Sequence, residues 1–562
     1  MLDGWSQGGI DYTGPPLIEL DGTNLTANSN RGFRITGGGS TVRGFIIHSF
    51  NDAGSSAIWL HTADGNWITG NYIGVNADGT AVLPNHYGIW INNRGNDEPS
   101  HNNIIGTNGD GVDDAFEGNV IAGSISEDVR VETNGNWIAG NKIGTNPVGS
   151  AAFANNNTGV RLYADDNIVG SNGDGVSDEL EGNLISGHDY GIGINNSSSH
   201  TIVSNIIGLD AAGSTILGND FNGIDCNASA TNSRYILIEN NIISGNGSRG
   251  FSTFYNNCRH ITITNNKIGT NITGTVALGN GAEGIIISAG DWYTITHNII
   301  SGNGTNGTAA GITTGNGANN LTIADNIIGS DANGTADLGN TGDGIEIQFS
   351  NNYTVRNNQI SGNGSEGVRI NGGDAILVQE NLIGLQADGS TALDNDDHGV
   401  YIFGDANSSA IISNTIAYSG HHGVLIDGSS NTISNTVSAN AIFSNAELGI
   451  DLDFDGVTPA DEDDVDSGPN GLQNQPSIFS GANTAESITI EGELDSLSDT
   501  TFTLEFFSNA ACDDSGNGEG AVYLGSDTIT TQSGSGAAND TPYSVTLPVL
   551  VPEGRYLTAT AT

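Results

Sequence analysis

Lysine is almost absent from this chain. Only Lys142 and Lys267 occur, among 14 basic residues set against 64 acidic ones, for a formal charge of 14 − 64 = −50. No basic stripe is visible in the sequence to neutralise phosphates, so nucleic acid and anionic membrane are expected to be poor partners. Such acidity keeps a long chain soluble and attracts cations without naming a ligand. Long apolar runs are missing as well: nothing approaches the roughly 18 residues of a membrane span, which excludes membrane insertion. The opening MLDGWSQGG lacks the basic and apolar regions of a signal peptide, so an extracellular or cell-surface location is inferred without an export signal in view. Three cysteines in 562 residues exclude a disulfide scaffold, and the spacing leaves open whether Cys226 and Cys258 are bonded.

What the chain does have is glycine, 83 residues of it, and apolar residues in short alternating bursts. That pattern argues for strands and turns rather than disorder or long helices. One landmark is an Asn followed by an apolar pair, as in ITGNYIG, ITNNKIG and IADNIIG. It recurs at Asn71, Asn119, Asn141, Asn183, Asn205, Asn241, Asn266, Asn298, Asn326, Asn358, Asn381, Asn414 and Asn435, about 30 residues apart on average. A second landmark is a Gly opening an alternating strand, as in GIWI, GVRL, GIEI and GVYI, which follows the Asn at distances alternating near 18 and near 9 residues. The repeat unit is therefore a pair of coils. In the longer connections Gly74, Gly144, Gly208, Gly269, Gly329 and Gly384 are each followed five residues later by another Gly and then by Thr or Ser, the composition of a defined turn.

Units of this length cannot bury an apolar face alone, so they must stack, with parallel pairing between coils satisfying the backbone. The expected fold is all-β: a right-handed parallel β-helix solenoid of about thirteen regular coils over residues 1–455, with right-handed winding favoured by the crossover rule. These motifs resemble the parallel β-helix repeat proteins of bacterial surfaces, which share the pectate-lyase-like fold; the resemblance covers about residues 17–455. It implies fold more than function, because that fold includes lyases, hydrolases, epimerases, tailspikes, adhesins and stalks. From about Asn470 the period vanishes and alternation takes over, as in ESITIEGEL and TFTLEFFS. Residues 471–562 are expected to form an immunoglobulin-like β-sandwich that covers the last open edge of the solenoid and continues past LTATAT, with 456–470 as an acidic junction.

A solenoid turns spacing into columns. The residue before each strand-opening position gives a column whose later members, Asp343, Glu366, His398 and His422, are ionisable, with Asp396 and Asp397 adjoining His398. Neighbours about 5 Å apart suit general acid–base work on a sugar chain; the same residues also read as the solvated start of a strand. DNDDHGV and SGHHGVLID resemble polygalacturonase elements faintly, but the Arg-x-Lys partner and the epimerase-like DPHE element are absent.

Three acidic segments read as calcium loops. GTNGDGVDDAFE places Asn108, Asp110, Asp114 and Glu117 at ligand positions, and GSNGDGVSDELE does the same with Asn172, Asp174, Asp178 and Glu181; both have Gly at position one. At the junction Asp451, Asp453, Asp455 and Glu462 match D-x-D-x-D-G-x5-E in full. An acidic turn or linker without metal is the alternative for each. The functional expectation is an extracellular, calcium-binding structural or adhesive stalk facing a polysaccharide or cell-surface component. Its alternatives are a polysaccharide-processing enzyme of lyase, hydrolase or epimerase type and a non-catalytic carbohydrate-binding protein.

Overall fold

The recurrent Asn explains the architecture. In the computed structural model, which describes all residues except 10, 11, 13, 26–28, 94–99, 154, 156, 254, 256, 316, 513–515 and 537–539, Asn71 sits at a corner between strands Trp67–Thr69 and Tyr72–Ile73. Its backbone N–H and its amide both donate, at 3.0 Å, to Oδ1 of Asn119 one coil on. The same bonds link Asn119 to Asn141 and Asn241 to Asn266. Each corner thus satisfies buried polar groups that the sharp turn would otherwise orphan.

The chain forms two units, Met1–Ala309 and Ala310–Thr562. Among the described residues of the first, three parallel sheets run from Leu2–Asp3 to Thr294–Thr296, from Ile18–Asp21 to Ile299–Ile300 and from Arg31–Ile35 to Ile285–Ile287, with ten, ten and nine strands. The second repeats the plan with five, five and six strands, ending at Thr436–Ser438, Ala441–Phe443 and Ile450–Leu452. Inward residues stack in ladders: Ile89, Val129 and Val160 pair in register and are fully buried, as are Ile345, Val368 and Val400. Each such side chain contributes roughly 1.5–3 kcal/mol.

Two coils precede the thirteen read from the Asn landmark. Gly44 holds the corner of the second, where Phe45 N–H donates to Asn71 Oδ1 at 3.1 Å, so the ladder ends there without an Asn of its own. At the other end Asn435 is not a ladder member. Asn414 bonds instead to Asn440, whose side chain stands between Thr436–Ser438 and Ala441–Phe443. The glycine-flanked turns follow alternate strands of the middle sheet in each unit and stack on one another, as in Ala211 N–H to Gly149 O and Ala387 N–H to Gly334 O, both 2.9 Å.

After the last coil, Ser477–Asn483, Ile488–Leu494 and Thr541–Leu547 form one antiparallel sheet, and Val522–Thr530, Thr501–Asn509 and Tyr556–Ala561 a second. They close over a core that includes Ile490, Leu504 and Phe506. This sandwich meets the final coil directly. Gly520 and Ile442 exchange two backbone hydrogen bonds of 2.9 Å, Glu505 accepts from Ser438 and Ala439, and Glu519 accepts from the backbone and amide of Asn445. In the first unit Cys226 and Cys258, on neighbouring coils, form a buried disulfide. No helix among the described residues is long and apolar enough to cross a membrane.

Candidate active site on the outer face of the second unit

Asp343, Glu366, His398 and His422 do form a column. Each precedes a glycine that points inward, and the backbone of each glycine donates to the carbonyl of the next column member: Gly344 to Glu366, Gly367 to His398 and Gly399 to His422. The four residues are between 4 and 7 % exposed. Position, not chance clustering, brings them together.

Asp343 and Glu366 act as one unit. Glu366 N–H donates to Asp343 Oδ1 at 3.3 Å, and the two carboxyls hydrogen-bond to each other. Burial, reinforced by that bond and by the Glu366 charge, holds Asp343 well above the ordinary carboxylate range. Burial would raise Glu366 too, but hydrogen bonds from Asp343 and Ser365 outweigh it and leave Glu366 below its usual value. The two carboxyls therefore titrate as a coupled pair whose proton affinities are pushed apart. Arg369, in register with Glu346 and Tyr401, faces the pair: its guanidinium is 3.0 Å from Glu346, 3.9 Å from Asp343 and 4.0 Å from Glu366, and lies 5.0 Å over the Phe403 ring.

The two imidazoles stack, and their ring nitrogens have distinct tasks. His422 N–H donates to His398 Nδ1 at 3.2 Å and Leu448 N–H to His422 Nδ1 at 3.1 Å, so the proton of each neutral ring is on Nε2. His398 Nε2 lies 3.2 Å from Asp397; His422 Nε2 lies 2.9 Å from Glu447 and 3.1 Å from Asp451. Burial lowers both histidines and pushes Asp451 up to about 6. Asp451 Oδ1 is buried with no hydrogen-bond partner. Asp396 stays exposed and apart from the cluster.

Arg369, Glu346, Tyr401 and Glu447 belong to the site although the column rule missed three of them and left Glu447 unassigned. The first three occupy the outward place two residues past the opening glycine, visible in GIEI, GVRI and GVYI, so a second column would have found them. Arg249, which precedes the glycine before the strand Phe251–Thr253 in the first unit, pairs with Glu283 at 2.8 Å.

The acidic loops divide. In the first unit the turn 106–117 brings Asp114 and Glu117 onto the Thr107 hydroxyl, both at 3.0 Å, while Asp110 accepts from Asn108 and Val112. Burial pushes Glu117 up to about 7. In the second loop Asp174, Asp178 and Glu181 present ligand oxygens all within 4.8 Å of one another, and Asn172 donates to both Asp174 and Glu181. Glu181 is fully buried, its Oε1 has no partner, and it occupies the space that a side chain at Gly109 would need, beside the Trp137 ring. At the junction the strand Ile450–Leu452 turns Asp451 onto His422, Asp453 and Asp455 are exposed, and Glu462 reaches toward Gly536. Those four are not among the acidic groups that converge in the described residues; Asp461, Asp464 and Asp466 are.

A family model for the right handed beta helix region matches residues 207–383 and 283–464. The solenoid is a right-handed parallel β-helix. No curated protein matches the chain. Among solved structures, the right-handed β-helix is similar to a double mutant of the periplasmic alginate epimerase AlgG, 14% identical over 74% of this chain and 73% of that one, with a TM-score of 0.31. It is similar to an alginate lyase from Paenibacillus sp. str. FPU-7, 14% identical over 58% and 96%, TM-score 0.34. The Dettilon tailspike protein is 12% identical over 81% and 92%, TM-score 0.32.

Proposed function

We propose that the outer face carrying Asp343, Glu366 and Arg369 is a polysaccharide site with acid–base capability, and that the chain is a carbohydrate-active enzyme of lyase or epimerase type. The observation that carries this is the pair of adjacent buried carboxyls set against a guanidinium. Buried carboxyls with split proton affinities beside a fixed cation are an arrangement for moving a proton. The guanidinium suits a sugar carboxylate, which it would grip and partly neutralise while a neighbouring C–H proton is removed. Hydrolysis fits less well, because carboxyls in mutual contact leave no room for the sugar that a two-carboxylate glycosidase places between them, about 5 Å apart or more.

This reading is better supported than the calcium-binding adhesive stalk expected from the sequence. The non-catalytic carbohydrate-binding protein differs from it only in turnover. The test is a panel of acidic and neutral polysaccharides incubated with the chain. Turnover of an acidic member, lost in Glu366→Gln, is expected; binding without turnover of any member would leave the non-catalytic reading, and neither would sink both.

Calcium is proposed as a structural ion held by Asp174, Asp178 and Glu181, supported by the buried, unpartnered Glu181 Oε1. An extracellular or cell-surface location is proposed with it, supported by the disulfide, which persists in oxidising compartments.

A further inference from the structure

The first unit carries a row of side chains unlike anything else on so acidic a chain. On the outward side of its third sheet, Arg34 pairs in register with Trp59, Trp59 with Trp90, Trp90 with Arg130 and Arg130 with Arg161. Five successive coils thus present only arginine and tryptophan at one position. Arg31 joins them from the start of its strand, its guanidinium 4.5 Å from the centre of the Trp59 ring and 5.5 Å from that of Trp90.

The row is ordered by its own contacts. Trp59 and Trp90 stack at 5.5 Å, and Trp59 Nε1–H is anchored on Asn92 at 2.7 Å. Arg34, exposed, lies 4.8 Å over Trp59, and Arg130 lies 4.4 Å over Tyr163. A guanidinium laid flat on an aromatic ring keeps its N–H edge directed sideways and loses little freedom on binding. Two carboxylates, Glu127 and Glu132, pair with Arg130, and Glu127 also comes within 3.8 Å of Arg161. Asp225, two coils beyond Arg161 at the same position, also interacts with the Arg161 charge. The cationic end of the row with no carboxylate paired to it is Arg34, which makes no ion pair among the described residues.

We infer that this arginine–tryptophan row is a binding face for an acidic polysaccharide, one bearing a carboxylate or sulfate on successive sugars. It rests on the polysaccharide reading for its ligand class, but not on turnover at the second-unit site. Charge complementarity selects an anion. The length of the row selects a polymer, because its cationic ends, Arg34 with Arg31 and Arg130 with Arg161, are separated by two tryptophan coils, three coil steps or roughly 14 Å from Arg34 to Arg130. The planar fork of each guanidinium matches a carboxylate or sulfate through paired hydrogen bonds. A nucleic acid meets the same arginines but also the surrounding negative field at full phosphate density, which disfavours it.

The experiment measures binding of the full chain to sodium polygalacturonate, to neutral dextran and to single-stranded DNA at several salt concentrations. Polygalacturonate is expected to bind, with affinity falling as salt rises. Arg34→Ala and Arg161→Ala are each expected to weaken it about tenfold, and the double variant more, with thermal unfolding unchanged because neither side chain is fully buried. The inference is overturned if polygalacturonate does not bind, if the double variant binds it as the parent does, if dextran binds equally well, or if DNA binds more tightly. Turnover is read separately: a chain that binds polygalacturonate through these arginines but never alters any polysaccharide retains this face and loses the enzymatic reading.

Discussion

His422 stacks on His398 with ring centroids 5.3 Å apart and planes within 3° of parallel, and each ring accepts a backbone N–H at Nδ1. Protonating either ring therefore costs a structural hydrogen bond as well as burial of charge. With both pKa values lowered, the unfolded chain binds protons that the folded chain refuses, and stability is lost as pH falls below the ordinary histidine value of 6.5. The melting temperature is expected to drop between pH about 7 and about 5, and His398→Gln is expected to flatten that drop. Parallel profiles for the two proteins would contradict it.

Asp343 acts in the opposite sense. Its folded pKa is raised, so its contribution to stability is complete below the ordinary value of 3.8 and is lost as pH rises through the folded value. Asp343→Asn is expected to gain stability relative to the parent as pH rises from about 5 to about 9, and thermal melts across that range would show it. A pH-independent difference would mean that the two carboxyls do not titrate as a coupled pair.

The calcium proposal has an optical readout, because Trp137 lies against the space between Gly109 and Glu181. Terbium bound there should emit on excitation of tryptophan, and calcium should displace it. Trp137→Phe should dim the emission while preserving calcium binding by calorimetry; Glu181→Gln should weaken both about tenfold. Calorimetry that detects no calcium in the parent chain would end the proposal.

Asn241 accepts the backbone and amide N–H of Asn205 and donates to Ile202 and Asn266. Asn241→Ala leaves those buried partners unsatisfied, at a cost of about 3 kcal/mol. Hydrogen exchange is the suitable measurement, since a solenoid can open locally. The Asn205 amide should exchange faster by about two orders of magnitude, while amides several coils away keep their protection.

Periodicity made the solenoid legible because one buried corner imposes the same demand on every coil. It failed at the ends for a physical reason: the second coil uses Gly44 instead of Asn, and the Asn435 corner lies one strand early because Asn440 is followed by the less conspicuous Ala441–Ile442 pair. Asp343, Glu366, His398 and His422 were legible as a column since stacking fixes it, and Asp397 came with His398. Arg369 was not, because an outward strand residue carries no period-breaking mark. Whether Asp451 meets calcium or an imidazole depends on where Ile450–Leu452 ends, and a residue string cannot locate that turn.

The two glutamates at the final coil have a consequence for assembly. A parallel solenoid that simply stops offers its unused N–H and C=O groups to any copy arriving end-on, which is how stacked-strand fibres grow. Glu505 and Glu519 occupy donors at Ser438, Ala439 and Asn445 of the final coil with carboxylates carried on a sandwich. A second chain approaching this end would meet two carboxylates and an antiparallel sandwich packed on the last coil. End-on growth is disfavoured where those two side chains sit, without any reduction in the regularity that makes the coils stack.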